Sequence, residues 1–537
     1  MGIPSYFSYI VKNHPTIIKK YIKNNLLVDN LYLDCNSIIY DAYHNLDCDT
    51  LTDNISKTVI LNVITKIKHY IQIIEPKVTV FIAFDGVAPV AKLEQQRTRR
   101  YKSWYQGEIS NAIFNKPKKD AWNTASITPG TKFMHDLNNS VVKAFNNKTI
   151  DQNIQYIVSG SNSPGEGEHK IYDYIRTNSN KHANETTVIY GLDADLIMLS
   201  INHLPISPKI YLFRETPHFI QTIDSNLEPN ADYFLDIPEL AIAIMDYMNN
   251  GQQIPLDILK NKMYDYIFLC FFLGNDFLPH FPALNIRTGG VDKLLNAYRA
   301  TIGITTEYIT DGHKIDWGNL RKVVKFMANL EETYIIEEHK SRNSKEYRRL
   351  PNNTPEEKYR SFESTPIYDR ELEKYINPQK PYWQKRYYRA LFAINSDSNN
   401  EQTKDIAVNY LQGLEWTMKY YTSGCPDWRW RYKFNYPPLL QDLLKYIPVF
   451  DAEFVPNKLP NPVNEIVQLS YVLPRNSLNL LPNNLTNKLL KEHNEWYNNK
   501  CDFIWAYCKY FWESHVEMND IDINELEHFI NNNKHLL

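Results

Sequence analysis

Short apolar runs alternate with longer amphipathic stretches over the first part of the chain. Residues 30–34, 78–84, 154–158 and 187–190 form short, strongly apolar runs, several of them rich in β-branched residues, as expected of buried strands. Residues 55–74 carry apolar side chains at helical spacing. Strands this apolar, with helices between them, are typical of a parallel sheet covered by helices on both faces. The pattern therefore predicts an α/β fold.

The periodicity weakens after residue 300. Residues 340–360 are charged and contain two prolines, which predicts a mobile surface segment, and residues 394–405 predict a polar loop. A block rich in Tyr and Trp follows. A chain of 537 residues is too long for one compact core. We predict an α/β domain over 1–305, a connecting region of helices and loops over 306–405, and a mostly helical second region over 406–537 that braces the first.

Acidic residues follow every predicted strand. One acid ends the first strand, one follows the second, and an acid-x-acid pair follows each of the other two, while the apolar segment 266–274 runs into a seventh acid. A single acid at such a place is more often a turn or helix cap than a ligand. Recurrence at five elements favours a common site, because the carboxyl ends of parallel strands form one crevice. The seven acids are Asp34, Asp85, Glu166, Glu168, Asp193, Asp195 and Asp276.

Such a cluster of anions is costly unless cations neutralise it. Oxygen ligands, without paired Cys or His, favour Mg²⁺ or Mn²⁺ over Zn²⁺. Seven carboxylates exceed the needs of one ion, so we predict two, about 3.5–4 Å apart, that clamp the attacking and leaving oxygens of a phosphodiester. Gly167, between Glu166 and Glu168, is interpreted as the residue that lets the backbone turn both carboxylates inward.

A basic helix follows the second predicted strand. Lys92, Gln96, Arg99 and Arg100 lie broadly on one face of it. Arginine and lysine suit a terminal phosphate group. A solvated basic face is the alternative, but the position directly after a metal-ligand strand favours a phosphate pocket.

Composition and charge limit which classes of protein remain possible. The net charge of −3 gives no general affinity for nucleic acid, although a local basic patch would suffice. The six cysteines include no C-x-x-C pair, so we expect neither a zinc site nor a disulfide framework. We find no signal peptide and no apolar run of membrane-spanning length. We expect a protein without membrane contact in a reducing compartment, namely the cytoplasm, with the nucleus left open.

Longer segments carry a family resemblance. The chain resembles the Xrn-type eukaryotic 5′→3′ exoribonucleases, strongly to about residue 300 and more loosely after 405. The first group of matching segments is LYLDCNSIIY (31–40), FDGVAPVAKLEQQRTRR (84–100), ITPGTKFM (127–134), SPGEGEHKI (163–171), YGLDADLIML (190–199) and FLGNDFLPHFPALNI (272–286). The second group is YLQGLEWTMKYYTSGCPDWRWRYKFNYPP (410–438), YVLPRNSLNLLP (471–482) and KYFWESHVEMNDID (509–522).

The resemblance implies a catalytic nuclease domain of the PIN or flap-nuclease type over 1–305. It implies a metal-dependent hydrolase that removes nucleotides one at a time from single-stranded RNA with a 5′-monophosphate. It makes the seven acids catalytic metal ligands for Mg²⁺ or Mn²⁺, and Lys92, Gln96, Arg99 and Arg100 the 5′-phosphate pocket. Asn36 also matches. We expect a monomer that acts in RNA decay with decapping or other decay factors.

The chain departs from the family at several places. The family stacks the first base between a His and a Trp. Tyr40 stands at the His position, and the Trp is expected to be Trp428 or Trp430. Lys433 and Asn435 replace a Pro and a His. Because the chain ends soon after the second conserved region, we expect a compact member without the long C-terminal modules of the large cytoplasmic members.

Two other functions stay open. A flap or structure-specific DNA endonuclease shares the MGI start, the acid cluster and a segment like GND (274–276). The intact segments ITPGTKFM and SPGEGEHK, and the second conserved region, argue against a DNA endonuclease. A non-catalytic RNA-binding scaffold would have lost some of the acids, and none is lost.

Overall fold

The computed structural model describes most of the chain, in thirteen stretches. Of the predicted polar loop 394–405, residues 395–399 lie outside the described residues, whereas residues 400–405 are helical and the prediction is wrong for them. The described residues are 3, 5–21, 26–46, 55–115, 122–145, 153–191, 193–215, 227–228, 231–252, 255–347, 350–394, 400–497 and 500–537.

One mixed sheet organises the first half of the chain. Within the described ranges its strands are β1 Ile18–Lys20, β2 Asn30–Asp34, β3 Thr79–Ala83, β4 Gln155–Ser159, β5 Thr187–Tyr190, β6 Ile210–Glu215 and β7 Asp232–Asp236. Their order is β1-β7-β6-β5-β2-β3-β4. The neighbours from β6 to β4 are parallel, whereas β7 runs antiparallel to both β6 and β1. The α/β prediction is confirmed, and the antiparallel edge adds to it.

Helices make up most of the remaining structure. A short antiparallel hairpin, β8 Asp502–Ile504 and β9 His515–Glu517, lies near the end of the chain. The described helices are α1 Tyr6–Asn13, α2 Asn36–His44, α3 Ile55–Ile74, α4 Val90–Phe114, α5 Lys132–Ala144, α6 Gly167–Thr177, α7 Ser179–His182, α8 Asp195–His203, α9 Ile237–Met248, α10 Leu256–Cys270, α11 Gly290–Tyr298, α12 Trp317–Glu346, α13 Pro355–Glu363, α14 Thr365–Tyr368, α15 Glu371–Ile376, α16 Trp383–Phe392, α17 Asn400–Thr422, α18 Leu440–Tyr446, α19 Glu465–Val472, α20 Asn483–Glu492 and α21 Ile523–Asn532.

Both faces of the sheet are covered. Leu31 and Leu33 of β2 point to one face and join the apolar cluster that contains α2, α3 and α5. Tyr32, between them, points to the other face and joins the cluster that contains α6, α8 and α10. Alternate side chains of a strand point to opposite faces, so a strand buried on both reads as a continuous apolar run.

The charged stretch 340–360 is not the mobile segment that the sequence predicted. Its start is the last part of α12, and Thr354 begins α13 with a capping box. Arg342 is buried because its guanidinium binds Glu373, with Nη2 2.6 Å from Oε1. A charged residue in a sequence predicts a surface position, but pairing with a carboxylate allows it to be buried.

The second half of the chain packs onto the first without a break in the apolar core. Trp317 and Trp416 are buried in the same cluster as Tyr32. A separate cluster joins α19 and α21 to the start of α4. The domain boundaries stay a prediction. None of the helices among the described residues is long and apolar enough to span a membrane.

Candidate active site

The seven predicted acids meet at the carboxyl edge of the parallel strands. Asp34 is the last residue of β2, and Asp85 lies two residues beyond β3. Glu166 caps α6, and Glu168 lies in its first turn. The turn from β5 into α8 holds Asp193 and Asp195, and Asp276 follows the 3₁₀ turn Phe271–Leu273 after α10.

Burial and mutual repulsion perturb these carboxyls. Burial, with the charges of Asp85 and Asp193, raises the pKa of Asp34 to about 8. Burial, with the charges of Asp193 and Asp276, raises the pKa of Asp195 to about 8. The pKa of Glu168 is also raised well above its ordinary value, chiefly by burial and then by Asp195. Without a cation, the cluster therefore retains protons at neutral pH.

Lys92 lies among the acids. Its ammonium is 2.6 Å from Oδ2 of Asp276 and also pairs with Glu166. Burial lowers the pKa of Lys92, but Asp276 and Glu166 outweigh it and raise the pKa well above the ordinary value. Burial raises the pKa of Asp276, but the charge of Lys92 outweighs burial and keeps this pKa below its ordinary value. The assignment of Lys92 to a 5′-phosphate stays a prediction.

Gly167 has a different role from the one inferred from the sequence. The left-handed turn before α6 is made by Gly165, whose φ is 104°. A Cβ at Gly167 would lie 2.7 Å from Oδ1 of Asp34. The backbone N–H of Gly167 donates to Oδ1 of Asp85 at 2.7 Å. Glycine is needed here because two carboxylates approach the backbone closely, a constraint of space that sequence alone does not reveal.

Further residues hold the acids in place. Asn36, predicted to bind RNA, donates from Nδ2 to Asp85 and accepts the backbone N–H of Asp85 at 3.1 Å. Tyr420 of α17 donates to Oε1 of Glu166 at 2.8 Å. Its neighbour Tyr421 donates to Oδ1 of Asp195 at 3.2 Å. Both tyrosines lie in the family-like segment 410–438, but the sequence alone gave no indication of their role.

The donor set fits a divalent cation. Oδ1 of Asp34 is buried without a hydrogen-bond partner among the described residues. Glu166, Glu168 and His169 each offer a ligand atom, and these atoms lie within 4.8 Å of one another. Carboxylate oxygens dominate, which suits Mg²⁺ or Mn²⁺. His169, stacked on Tyr420 with ring centroids 3.7 Å apart, was not named from the sequence.

Five of the seven acids and the predicted phosphate-binding residues line one cavity of about 490 Å³. Asp276 instead lines a second cavity. Arg100 donates to Oγ1 of Thr128 at 2.6 Å. In the described part of the chain, Nε of Arg100 and Oε1 of Gln96 are buried without partners. Burial lowers the pKa of Arg100 to about 10, so the guanidinium stays charged at neutral pH. Members of both predicted sets that line the cavity are Asp34, Asp85, Glu166, Glu168, Asp193, Asn36, Tyr40, Lys92, Gln96, Arg99 and Arg100.

The two predicted tryptophans lie elsewhere. Neither Trp428 nor Trp430 is among the described residues that line this cavity. Trp430 stacks on Trp416 with ring centroids 5.1 Å apart, and the carbonyl of Trp428 accepts the N–H of Val90. Trp512 lines a neighbouring cavity of about 450 Å³, which also includes Lys433 and Asn435. A stacking role for Trp428 or Trp430 stays a prediction that this arrangement does not support.

The raised carboxyl pKa values predict a pH-dependent stability. A folded-state pKa of about 8 in Asp195, against about 4 in an unfolded chain, means that the folded protein binds more protons between these values. Stability without metal therefore falls as pH rises towards 8. Buried His203 and His515, whose pKa values are lowered to about 3, act in the opposite direction below about pH 6.5. The carboxyl effect is best observed above that pH.

We expect the thermal midpoint in EDTA to fall between about pH 6.5 and 8, and less steeply in Asp195→Asn. Mg²⁺ should reverse the fall, because binding displaces protons, and its apparent affinity should rise about tenfold per pH unit for each proton displaced. Differential scanning calorimetry in EDTA and in Mg²⁺ measures both. If the thermal midpoint depends on pH in the same way in the wild type and in Asp195→Asn, the raised pKa of Asp195 is contradicted.

Comparison with known proteins shows the family of the chain. Residues 1–216 match the family model described as the N-terminus of XRN 5′-3′ exonucleases. Residues 258–376 and 375–509 match the model described as the Xrn1 helical domain. Together the matched segments cover most of the chain. The chain belongs to the Xrn 5′-3′ exonuclease family.

The relatives are longer proteins. The chain is 27% identical to 5′-3′ exoribonuclease 2 of Arabidopsis thaliana, over 90% of the chain and 62% of the relative. It is 28% identical to 5′-3′ exoribonuclease 1 of Saccharomyces cerevisiae, over 90% of the chain and 40% of the relative. The chain thus spans less than two thirds of these proteins. The catalytic core of Rad2 in complex with a DNA substrate aligns over 84% of the chain at 14% identity with a TM-score of 0.35, which supports no further conclusion.

Proposed function

We propose that the protein is a processive 5′→3′ exoribonuclease that hydrolyses RNA with a 5′-monophosphate to mononucleotides. The observation that carries the proposal is a cavity in which five acids of the carboxylate cluster and the partly buried Arg100 lie together. A terminal phosphate held by Arg100 would leave the next phosphodiester near the acids. Family membership and the names of the relatives support the same activity.

The seven acids would hold two Mg²⁺ or Mn²⁺ ions. When bound, such ions polarise the phosphoryl group and activate water as a nucleophile. The chain's own residues set the geometry: Asn36 orients Asp85, Tyr420 orients Glu166, and Tyr421 orients Asp195. Lys92 partly neutralises Glu166 and Asp276.

Selection of the 5′ end would come from the basic side of the cavity. Gln96, Arg99 and Arg100 would contact the terminal phosphate, with Arg100 supported by Thr128. A cap or a triphosphate would not fit a pocket formed for one phosphate. We place the activity in cytoplasmic RNA decay, where decapping produces 5′-monophosphate ends, and we propose that the enzyme acts as a monomer.

A substrate panel tests the proposal. The protein is incubated with RNA carrying a 5′-monophosphate, a 5′-hydroxyl or a cap, and with flapped DNA, each in Mg²⁺ and in EDTA. We expect release of mononucleotides only from monophosphorylated RNA in Mg²⁺, with slow attack on 5′-hydroxyl RNA. Preferred cleavage of flapped DNA would indicate a structure-specific endonuclease instead. RNA binding without cleavage in Mg²⁺ would indicate a scaffold.

Tyr40 is expected to hold the terminal base. It lines the cavity and lies near Arg100, so a base attached to a phosphate at Arg100 would reach its ring. Loss of about 2 kcal/mol of stacking would slow each step roughly 30-fold. Tyr40→Ala should therefore leave RNAs of intermediate length while it keeps the 5′-monophosphate preference, and Tyr40→Phe should behave as the wild type.

A time course on a long 5′-phosphorylated RNA, with a competitor trap, measures this effect. Trp430→Ala and Trp428→Ala are run beside Tyr40→Ala. If Tyr40→Ala degrades the RNA to completion at the wild-type rate while a tryptophan variant stalls, the base is held by the tryptophan and not by Tyr40.

A further inference from the structure

A surface outside the candidate active site combines exposed tyrosines with basic side chains. Tyr375, Tyr382, Lys385, Arg386 and Arg389 line an open cavity of about 510 Å³ on α15, α16 and the turn between them. We call it the α15–α16 surface. Residues 374–396 contain five Lys or Arg and no Asp or Glu, although the whole chain has a net charge of −3. Positive charge is therefore concentrated here.

The two tyrosines present their rings to solvent. Tyr382 is 71% exposed and Tyr375 is 44% exposed. Tyr382 also has a left-handed backbone, with φ 62° and ψ 25°, which a bulky side chain rarely adopts. Such a conformation persists only where the surrounding structure enforces it, and it often marks a functional position.

Arg386 enforces the conformation of this turn. Its guanidinium donates to backbone carbonyls along the turn, which fixes the chain between α15 and α16 on both sides of Pro378. The accepting carbonyls and their distances are Tyr375 2.9 Å, Ile376 2.9 Å, Asn377 3.1 Å, Lys380 3.2 Å and Pro381 2.8 Å. The tyrosines are thus held before any ligand arrives.

The inner side of the two helices is anchored separately. Glu373 of α15 binds both Arg342 and Arg370. Tyr387 and Tyr388 of α16 donate to the carbonyl of Pro437 at 2.9 Å and to Oδ2 of Asp442 at 2.7 Å. The outer residues are therefore not needed to dock the helices, and they are available for another role.

Basic groups lie beside each exposed ring. Nζ of Lys385 is 5.5 Å from the ring centroid of Tyr382. Arg389 donates from Nη1 to the hydroxyl of Tyr375 at 3.4 Å. Lys380, in the turn, is exposed. Alternation of aromatic faces and cations is the pattern that binds single-stranded nucleic acid, because bases stack on the rings and the cations contact the phosphates.

We propose that the α15–α16 surface is an accessory site for single-stranded RNA. Bases would stack on Tyr375 and Tyr382, and Lys380, Lys385 and Arg389 would contact phosphates. Paired bases could not offer their faces to both rings, so the ligand is single-stranded. The choice of RNA rests on the proposed function, and the surface would hold the body of a long substrate whose 5′ end lies in the active-site cavity.

The test measures RNA binding without hydrolysis. Fluorescence anisotropy in EDTA follows a labelled single-stranded RNA of about 40 nucleotides, well beyond the length of a single stacking site. Tyr375→Ala/Tyr382→Asn and Lys385→Glu/Arg389→Glu are compared with the wild type. Asn is used at position 382 because it tolerates a left-handed backbone. We expect about tenfold weaker binding for each double variant. For Lys385→Glu/Arg389→Glu, the slope of the logarithm of the binding constant against the logarithm of the salt concentration should also be smaller in magnitude by about 1.4.

Matched controls lie on the same half of the chain. Lys325→Glu changes an exposed lysine on α12, and Phe450→Ala removes an aromatic ring that is 70% exposed. Both should bind as the wild type does. Unchanged affinity in both surface variants, or equal loss in the controls, would overturn the proposal.

Hydrolysis separates this proposal from the proposed function. For an RNA of about 5 nucleotides, a length that one binding site accommodates, kcat/KM should be unchanged in the surface variants, whereas for the long RNA it should fall about tenfold. If the wild type hydrolyses neither RNA, the proposed function fails. The surface is then still judged by the anisotropy: lost affinity in its variants supports it, and retained affinity overturns it.

Discussion

Alanine at Asp193 or Asp195 is expected to reduce hydrolysis of 5′-monophosphorylated RNA by about 10³-fold or more. Removal of a ligand from a catalytic ion costs several kcal/mol of transition-state stabilisation, and each 1.36 kcal/mol is a factor of ten in rate. The fold of Asp195→Ala should survive, because burial and the charges of Asp193 and Asp276 disfavour the ionised Asp195 carboxylate and raise its pKa to about 8. Without metal, the thermal midpoint of Asp195→Ala should hold or rise.

The measurement pairs single-turnover hydrolysis with Mn²⁺ binding and a thermal scan in EDTA. Asp173→Ala removes an exposed carboxylate of α6, whose side chain is 65% accessible, and serves as the control with unchanged activity. Tyr421→Phe tests the support of Asp195 by removing only its hydrogen bond. Full activity of both Asp193→Ala and Asp195→Ala would refute the metal site. Loss of activity with a collapsed midpoint would indicate misfolding and is resolved by Asp195→Asn.

The second large effect concerns the 5′ end. Arg100→Ala should lower kcat/KM on monophosphorylated RNA by about 30–100-fold and remove the preference over 5′-hydroxyl RNA, because a charge-assisted contact is lost. The physical basis is that Arg100 is partly buried and charged, its Nε has no partner, and it donates only to the neutral hydroxyl of Thr128 among the described residues. Burial of a cation without an anion is unfavourable, and a bound phosphate would relieve it.

Comparison of the two 5′ ends isolates this effect. Arg100→Lys keeps the charge without the bidentate geometry and should fall between the wild type and Arg100→Ala. Arg360→Ala, at an exposed arginine of α13, should change nothing. If Arg100→Ala slows the hydroxylated and phosphorylated RNAs equally, Arg100 supports the fold of the cavity rather than the recognition of phosphate.

The central sheet could be predicted from the sequence because its strands are buried on both faces. Strands β2 and β5 have the predicted bounds, and β3 and β4 differ from them by one residue at each end. The strands on the antiparallel side were not predicted: β1 has only three residues, and β6 and β7 had not been recognised as strands. A three-residue edge strand such as β1 leaves too weak a pattern for recognition without its neighbour.

The acids of the cluster could be recognised in the sequence, because six of the seven end or follow strands whose ends must lie at one edge of a parallel sheet. The basic helix that begins beside them could be recognised as well. The packing of the whole chain was needed to show that Lys92 lies among the acids, that Gly167 makes room for Asp34, and that Tyr420 and Tyr421 reach across from the second half of the chain. The α15–α16 surface likewise depends on one arginine that closes a turn. Local periodicity reports which side of an element is buried, whereas contacts between residues hundreds of positions apart are set only when the whole core packs.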